Sequence, residues 1–128
     1  MLTKSEAFSG YSADDIPAAK RFYGEVLGLD LNERMGGVGL RLATGAQVFI
    51  YPKPNHEPAT YTVLNFPVDD IEAVVDELTA KGVEFERYEG FQQDERGIAT
   101  PDHPGQGPRI AWFKDPAGNI LSVLQGMG

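Results

Sequence analysis

Two imidazoles, no thiol and a scatter of hydroxyls and carboxylates are the groups in this sequence that could do chemistry. His56 stands in Pro-Lys-Pro-Asn-His-Glu-Pro and His103 in Pro-Asp-His-Pro-Gly. An imidazole can hold a metal or move a proton near neutral pH. Both of these lie in proline-rich turns, where a histidine needs no special role, and they are read as surface turn residues. The absence of cysteine removes disulfides, thiolate metal sites and cysteine nucleophiles together. A Ser-His-Asp triad would have to recruit a histidine from one of those turns, and there is no Gly-x-Ser-x-Gly elbow. No glycine-rich loop opens a helix to cradle a phosphate. What remains is a set of aromatic rings, 10% of the chain, with a few hydroxyl and amide side chains. Such a set suits a small-molecule pocket.

Composition narrows the partners. The 128 residues fit one domain with a real core, and 41% hydrophobic with 23% charged residues is ordinary for a globular protein. Nineteen acidic against eleven basic residues give a net charge of −8, so the basic footprint that nucleic acid requires is missing. An acidic surface favours solubility and also attracts cationic ligands. The stretch Met1 to Glu6 carries no secretory pattern, and no window approaches the roughly 20 apolar residues that cross a bilayer. The expectation is a soluble cytoplasmic protein with neither nucleic acid nor membrane as partner.

The elements that must position these residues come in two copies. Residues 8–31, FSGYSADDIPAAKRFYGEVLGLDL, and residues 63–85, VLNFPVDDIEAVVDELTAKGVEF, both run from a strand through Asp-Asp-Ile into an amphipathic helix and out through glycine. Asp14-Asp15 and Asp69-Asp70 supply capping carboxylates for orphan amides of the first turn. Pro17 falls just inside the first helix, where its missing N–H costs nothing. Ile16, Ala19, Phe22, Tyr23, Val26 and Leu27 form one apolar stripe, and Ile71, Val74, Val75 and Leu78 form the other. Gly28 and Gly82 stand where a left-handed residue ends a helix.

After each helix the pattern predicts three short strands. They are Leu29–Arg34, Val38–Leu42 and Gln47–Tyr51 in the first half, and Val83–Tyr88, Arg109–Lys114 and Ile120–Gln125 in the second. Asp115-Pro116-Ala117-Gly118-Asn119 is the last hairpin turn. Pro52 to Ala59 links the copies. Phe91 to Pro108 breaks the symmetry, a long Gly/Pro-rich stretch that is either disordered or covers a ligand, with a short edge strand within Ile98–Thr100.

Two of these segments carry a resemblance. DIPAAKRFYGEVLGLDL is similar to the opening of the vicinal-oxygen-chelate superfamily, the glyoxalase/bleomycin-resistance/dioxygenase group, and FKDPAGNILSVLQ resembles its closing hairpin. The resemblance implies an α+β fold in which two βαβββ modules form curved mixed sheets around a cavity. It implies a single domain over 1–128, with a first module at 5–52 and a second at 60–126. It also implies a homodimer, with the cavity either within one chain or shared across two.

Metal-using members carry His, Glu or Gln at four inward positions, and the motif spacings place those positions at Phe8, Phe49, Val63 and Ser122. None is a divalent-metal donor, and a slip of one residue offers only Ala7 or Ser9, Val48 or Ile50, Thr62 or Leu64, and Leu121 or Val123. The sequence therefore predicts no metal and no cofactor, and it weakens the metal-dependent chemistries of the group. Glu6 shares a strand face with Phe8 and is read as a solvated carboxylate.

Strand alternation places Phe8, Gly10 and Ser12 on the inward face, together with Phe49 and Tyr51. In the second half Tyr61, Val63, Asn65, Pro67, Ile120, Ser122 and Leu124 take that face, with Trp112 on a neighbouring strand. Phe8, Phe49, Tyr51 and Trp112 would stack on a ligand that Ser12, Asn65 and Ser122 orient, with Tyr61, Val63 and Leu124 completing the lining. Any one of these rings could instead be core. The expected function is a binding protein that sequesters an aromatic or cationic small molecule, with no catalytic residue assigned. The alternatives are a lyase, isomerase or dioxygenase-related enzyme with atypical metal ligands, and a subunit whose cavity is vestigial.

Overall fold

The structure, a computed structural model, describes residues 1–103 and 105–126. Residues 127 and 128 of the expected 1–128 domain, and Pro104 within the expected long loop, lie outside the described residues. The chain divides into two compact units, Met1–Pro58 and Ala59–Gly128.

The first unit opens with β1 (Ser9–Ala13) and α1 (Ile16–Lys20), followed by β2 (Asp30–Arg34), β3 (Gly37–Arg41) and β4 (Gln47–Pro52). Asp15 caps α1 by accepting the Ala18 N–H at 3.0 Å, with Pro17 in the first turn, as the sequence predicts. The helix does not stay α throughout. Arg21–Val26 form a wider π-helical turn, in which the Leu27 N–H reaches Phe22 O at 2.9 Å. Gly28 leaves this turn at φ +72°, a conformation that favours glycine.

The strands form one sheet in the order β1-β4-β3-β2, with β1 and β4 parallel and the other pairs antiparallel. Register sorts the side chains. Ala13, Val38, Leu40, Val48 and Ile50 take one face and are buried, as are Ala19 and Tyr23 of the helical segment, which packs on β3. Burying a Val, Leu or Ile side chain contributes about 1.5–3 kcal/mol, so this face carries the unit's stability. The other face holds Gly10, Ser12, Asn32, Arg34, Gly37, Gly39, Phe49 and Tyr51.

The second unit has β5 (Thr62–Pro67), α2 (Ile71–Ala80), β6 (Arg109–Lys114) and β7 (Ile120–Gln125). Asp70 caps α2 through the Ala73 N–H at 3.1 Å, and Gly82 follows the helix at φ +95°. Ile71, Val75 and Leu78 are its buried face; Ala111, Phe113, Leu121 and Val123 are buried on one side of the sheet, and Ser122 and Leu124 on the other. The turn before β7 is built by one side chain. Asp115, 5% exposed, accepts the Ala117 and Asn119 amides at 2.9 Å each and Asn119 Nδ2 at 3.0 Å.

The sheet of this unit has three strands, β5-β7-β6. Val83–Tyr88, predicted as a fourth, is reduced to a bridge between Phe85 and Phe113 and one bond from Glu86 N to Trp112 O at 2.8 Å. The Gln93 amide takes backbone groups on this segment that a ladder would use, and Ala99 takes those of Ile110 on β6. Gln93 Oε1 accepts the Tyr88 N–H at 2.9 Å, and its Nε2 donates to Glu86 O at 2.9 Å and Gly97 O at 2.8 Å. The expected edge strand within Ile98–Thr100 likewise amounts to Ala99 alone, paired with Ile110 through bonds of 2.8 and 3.0 Å. Among the described residues, no helix is long and apolar enough to cross a membrane.

Candidate functional site

In the first unit the open sheet face gathers the predicted residues. Gly10 and Gly39 flank Phe49 in register, and Ser12 stands beside Tyr51. The Phe49 and Tyr51 rings are 6.0 Å apart, and Phe8, just ahead of β1, is 53% exposed. Two residues join this face that strand alternation alone did not single out. Arg34 on β2 lies opposite Gly37, and its guanidinium carbon sits over the rings of Phe8 and Phe49 at 5.2 and 5.9 Å.

The second is His56. The sequence places it in a solvated turn, yet it is half-buried, with Nδ1 2.6 Å from the hydroxyl of buried Ser12. Lys53 N also bonds Ala13 O at 3.0 Å, so the segment after β4 is drawn against β1 and carries His56 to Ser12. His103 is exposed, as expected.

In the second unit Trp112 stands opposite Ser122 on the antiparallel β6–β7 pair, which settles its parity: it shares the face of Asn65, Ile110, Ser122 and Leu124. Ser122 is fully buried and donates its hydroxyl hydrogen to Asn65 Oδ1 at 2.5 Å. Trp112 packs against two rings, Tyr88 at 5.4 Å and Phe91 at 4.9 Å. Strand alternation does not single out either ring: Tyr88 closes a predicted strand that forms no ladder, and Phe91 lies in the long loop.

The Tyr88 hydroxyl is buried without a hydrogen-bond partner among the described residues, and burial, reinforced by the Glu86 carboxylate, pushes its pKa above the ordinary tyrosine value. Beside this cluster lies a cavity of about 580 Å³, lined by Phe91, Gln92, Thr100, Asp102, Gln106 and Ile110 among others. The loop read as disordered or ligand-covering thus supplies cavity walls.

The alternation predicted for β5 is interrupted. A bulge between Thr62 and Leu64 leaves Val63 as the extra residue, so Thr62 rather than Val63 stands opposite Ile120. The run of alternate residues expected from Tyr61 to Pro67 therefore does not hold across the bulge, and Tyr61, ahead of the strand, is 69% exposed.

The positions where the resemblance puts metal ligands hold Phe8, Phe49, Val63 and Ser122. Three are hydrocarbon, and the Ser122 hydroxyl is committed to Asn65. No three His, Asp or Glu side chains among the described residues group where they could hold an ion. These residues do not fit a divalent metal.

No curated protein matches the chain in sequence. Solved structures share its fold. A glyoxalase family protein from Bacillus anthracis superposes with a TM-score of 0.69 at 19% identity, over 98% of this chain and 99% of that one. The fosfomycin resistance protein FosX from Listeria monocytogenes gives 0.70 at 14% identity, over 94% and 92%. The antibiotic-binding protein TnmS3 from a Streptomyces species gives 0.62 at 23% identity, over 93% and 94%. The family model of the Glyoxalase/Bleomycin resistance protein/Dioxygenase superfamily matches residues 9–123, nearly the whole chain. The chain belongs to that superfamily.

Proposed function

We propose that this chain binds a small aromatic molecule without a metal and sequesters it rather than transforming it. The observation that carries the reading is the Trp112 cluster. A tryptophan flanked by Tyr88 and Phe91 stands in register with Ser122, whose hydroxyl is bonded to Asn65, and a cavity opens beside Phe91 and Ile110. Phe91 lines that cavity together with polar side chains such as Gln92 and Thr100, and Trp112 packs on Phe91; aromatic surface with a few placed polar groups is what a small-molecule site requires. The fold likeness to an antibiotic-binding protein points the same way. The donor-poor residues at the metal positions support binding without an ion. A homodimer belongs to the same proposal, read from the family, and light scattering in solution tests it.

Trp112 is the sole tryptophan and packs on Phe91 at 4.9 Å, a residue that lines the cavity, so its fluorescence reports on the site. Titration with a panel of planar aromatic natural products should shift or quench it at micromolar concentrations for at least one compound. A panel that leaves both the fluorescence and the heat of mixing unchanged contradicts the proposal. A second reading, a metal-free lyase or isomerase, draws on one observation: Ser12 and His56 are placed as a hydroxyl and its base would be. Product appearing from a bound ligand, and lost in His56→Ala, would favour it.

A further inference from the structure

Arg34 stands on the open face of the first sheet without an acid. Lys20, Lys81, Arg96, Arg109 and Lys114 all pair with carboxylates. Arg34 does not: among the described residues its guanidinium has one polar partner, the Gln47 amide oxygen at 3.1 Å. Lys4, Arg21, Arg41, Lys53 and Arg87 likewise have no carboxylate partner among the described residues, and what distinguishes Arg34 is the aromatic surface beneath it. The guanidinium is instead held over the Phe8 and Phe49 rings, at 5.2 and 5.9 Å. Glycine at 37 makes that possible, because a Cβ there would meet Phe49 Cε1 at 3.0 Å and displace the ring.

Cation–π attraction fixes where the guanidinium sits but uses none of its N–H donors. An arginine presents five N–H donors in a fork that matches an oxyanion, and most of these are unspent here. Phe8 and Tyr51 are solvent-exposed on the same unit, so an aromatic body has rings to lie along next to that fork. We propose that Arg34 receives the carboxylate of a small aromatic acid whose ring packs on Phe8, Phe49 and Tyr51. The inference rests on the reading that this chain binds aromatic molecules and adds to it a face of the first unit, where a cationic ligand would meet the like charge of Arg34.

Three probes of one shape test it: 2-naphthoate, the neutral 2-naphthamide and the cationic 2-naphthylmethylammonium. They are titrated into the full chain by calorimetry, with backbone amide shifts of Arg34, Gly37 and Phe49 locating the site. Naphthoate should bind about tenfold or more tighter than the amide, as expected for a hydrogen-bonded charge pair, and the cation weakest. Arg34→Gln should remove that preference while the amide's affinity stays within about twofold, and Arg34→Lys should restore only part of it. Equal binding of naphthoate and amide overturns the inference and leaves aromatic binding standing, as does a preference that survives Arg34→Gln. Binding of none of the three overturns the inference, and failure of the wider panel on Trp112 overturns the reading beneath it. Retained native amide dispersion in Arg34→Gln separates a lost contact from a lost fold.

Discussion

The Ser12 hydroxyl and the His56 Nδ1 are hydrogen-bonded at 2.6 Å, a link between β1 and the segment that follows β4. Ser12→Ala and His56→Ala should each destabilise the chain by about 1 kcal/mol in urea unfolding. The double variant should cost less than the sum of the two single ones, because both remove the shared bond. Fully additive losses would show that the two side chains act separately.

Tyr88 carries a prediction of opposite sign for stability and for binding. A buried hydroxyl without a partner costs free energy in the ligand-free protein, so Tyr88→Phe should hold or raise the melting temperature. If that hydroxyl serves a ligand, the same variant should weaken binding of an acceptor-bearing compound by roughly three- to tenfold. A drop in stability with unchanged binding would assign the hydroxyl a structural partner instead.

Gly37 and Gly39 are neighbours on one face with different obstacles. A Cβ at Gly37 would collide with the Ile50 carbonyl oxygen, which is backbone and cannot swing aside. At Gly39 it would meet the Asn32 side-chain amide, which can. Gly37→Ala should therefore cost about 1–3 kcal/mol, and Gly39→Ala clearly less, in the same unfolding assay. The reverse order would contradict the placement of β3.

Lys20 donates to Glu33 at 2.6 Å and holds that carboxyl below the ordinary glutamate value through the hydrogen bond and then the charge. A carboxyl with a lowered folded pKa stabilises above its unfolded value and loses that contribution as the pH falls through the folded one. By NMR, Glu33 should titrate below ordinary glutamate, and Lys20→Met should bring it back. An unchanged midpoint in the variant would remove Lys20 as the cause.

What was legible in the sequence was what is decided locally. Asp15 and Asp70 cap their helices, and Gly28 and Gly82 end them, because caps are settled within a few residues. The Asp115–Asn119 turn is built by Asp115 itself. Predicted site residues Ser12, Phe49 and Tyr51 share a face, as do Asn65, Ser122, Leu124 and Trp112.

The rest depends on partners distant in sequence. Gln93 ends a strand that composition favours, by capturing the backbone of Glu86, Tyr88 and Gly97. The Val63 bulge leaves the alternation of residue types unbroken while shifting what they face. Arg34 gains its setting only through register, which places it opposite Gly37 and beside the Phe49 ring.

Aromatic binding with no metal is the property on which the proposed function turns. Its most direct measurement is calorimetry of one panel compound that quenches Trp112, run on chelator-treated protein and again with added Zn²⁺ or Mn²⁺. The affinity should be the same in both, within about twofold. Binding that appears only with the ion, together with stoichiometric metal retained by the protein, would contradict it.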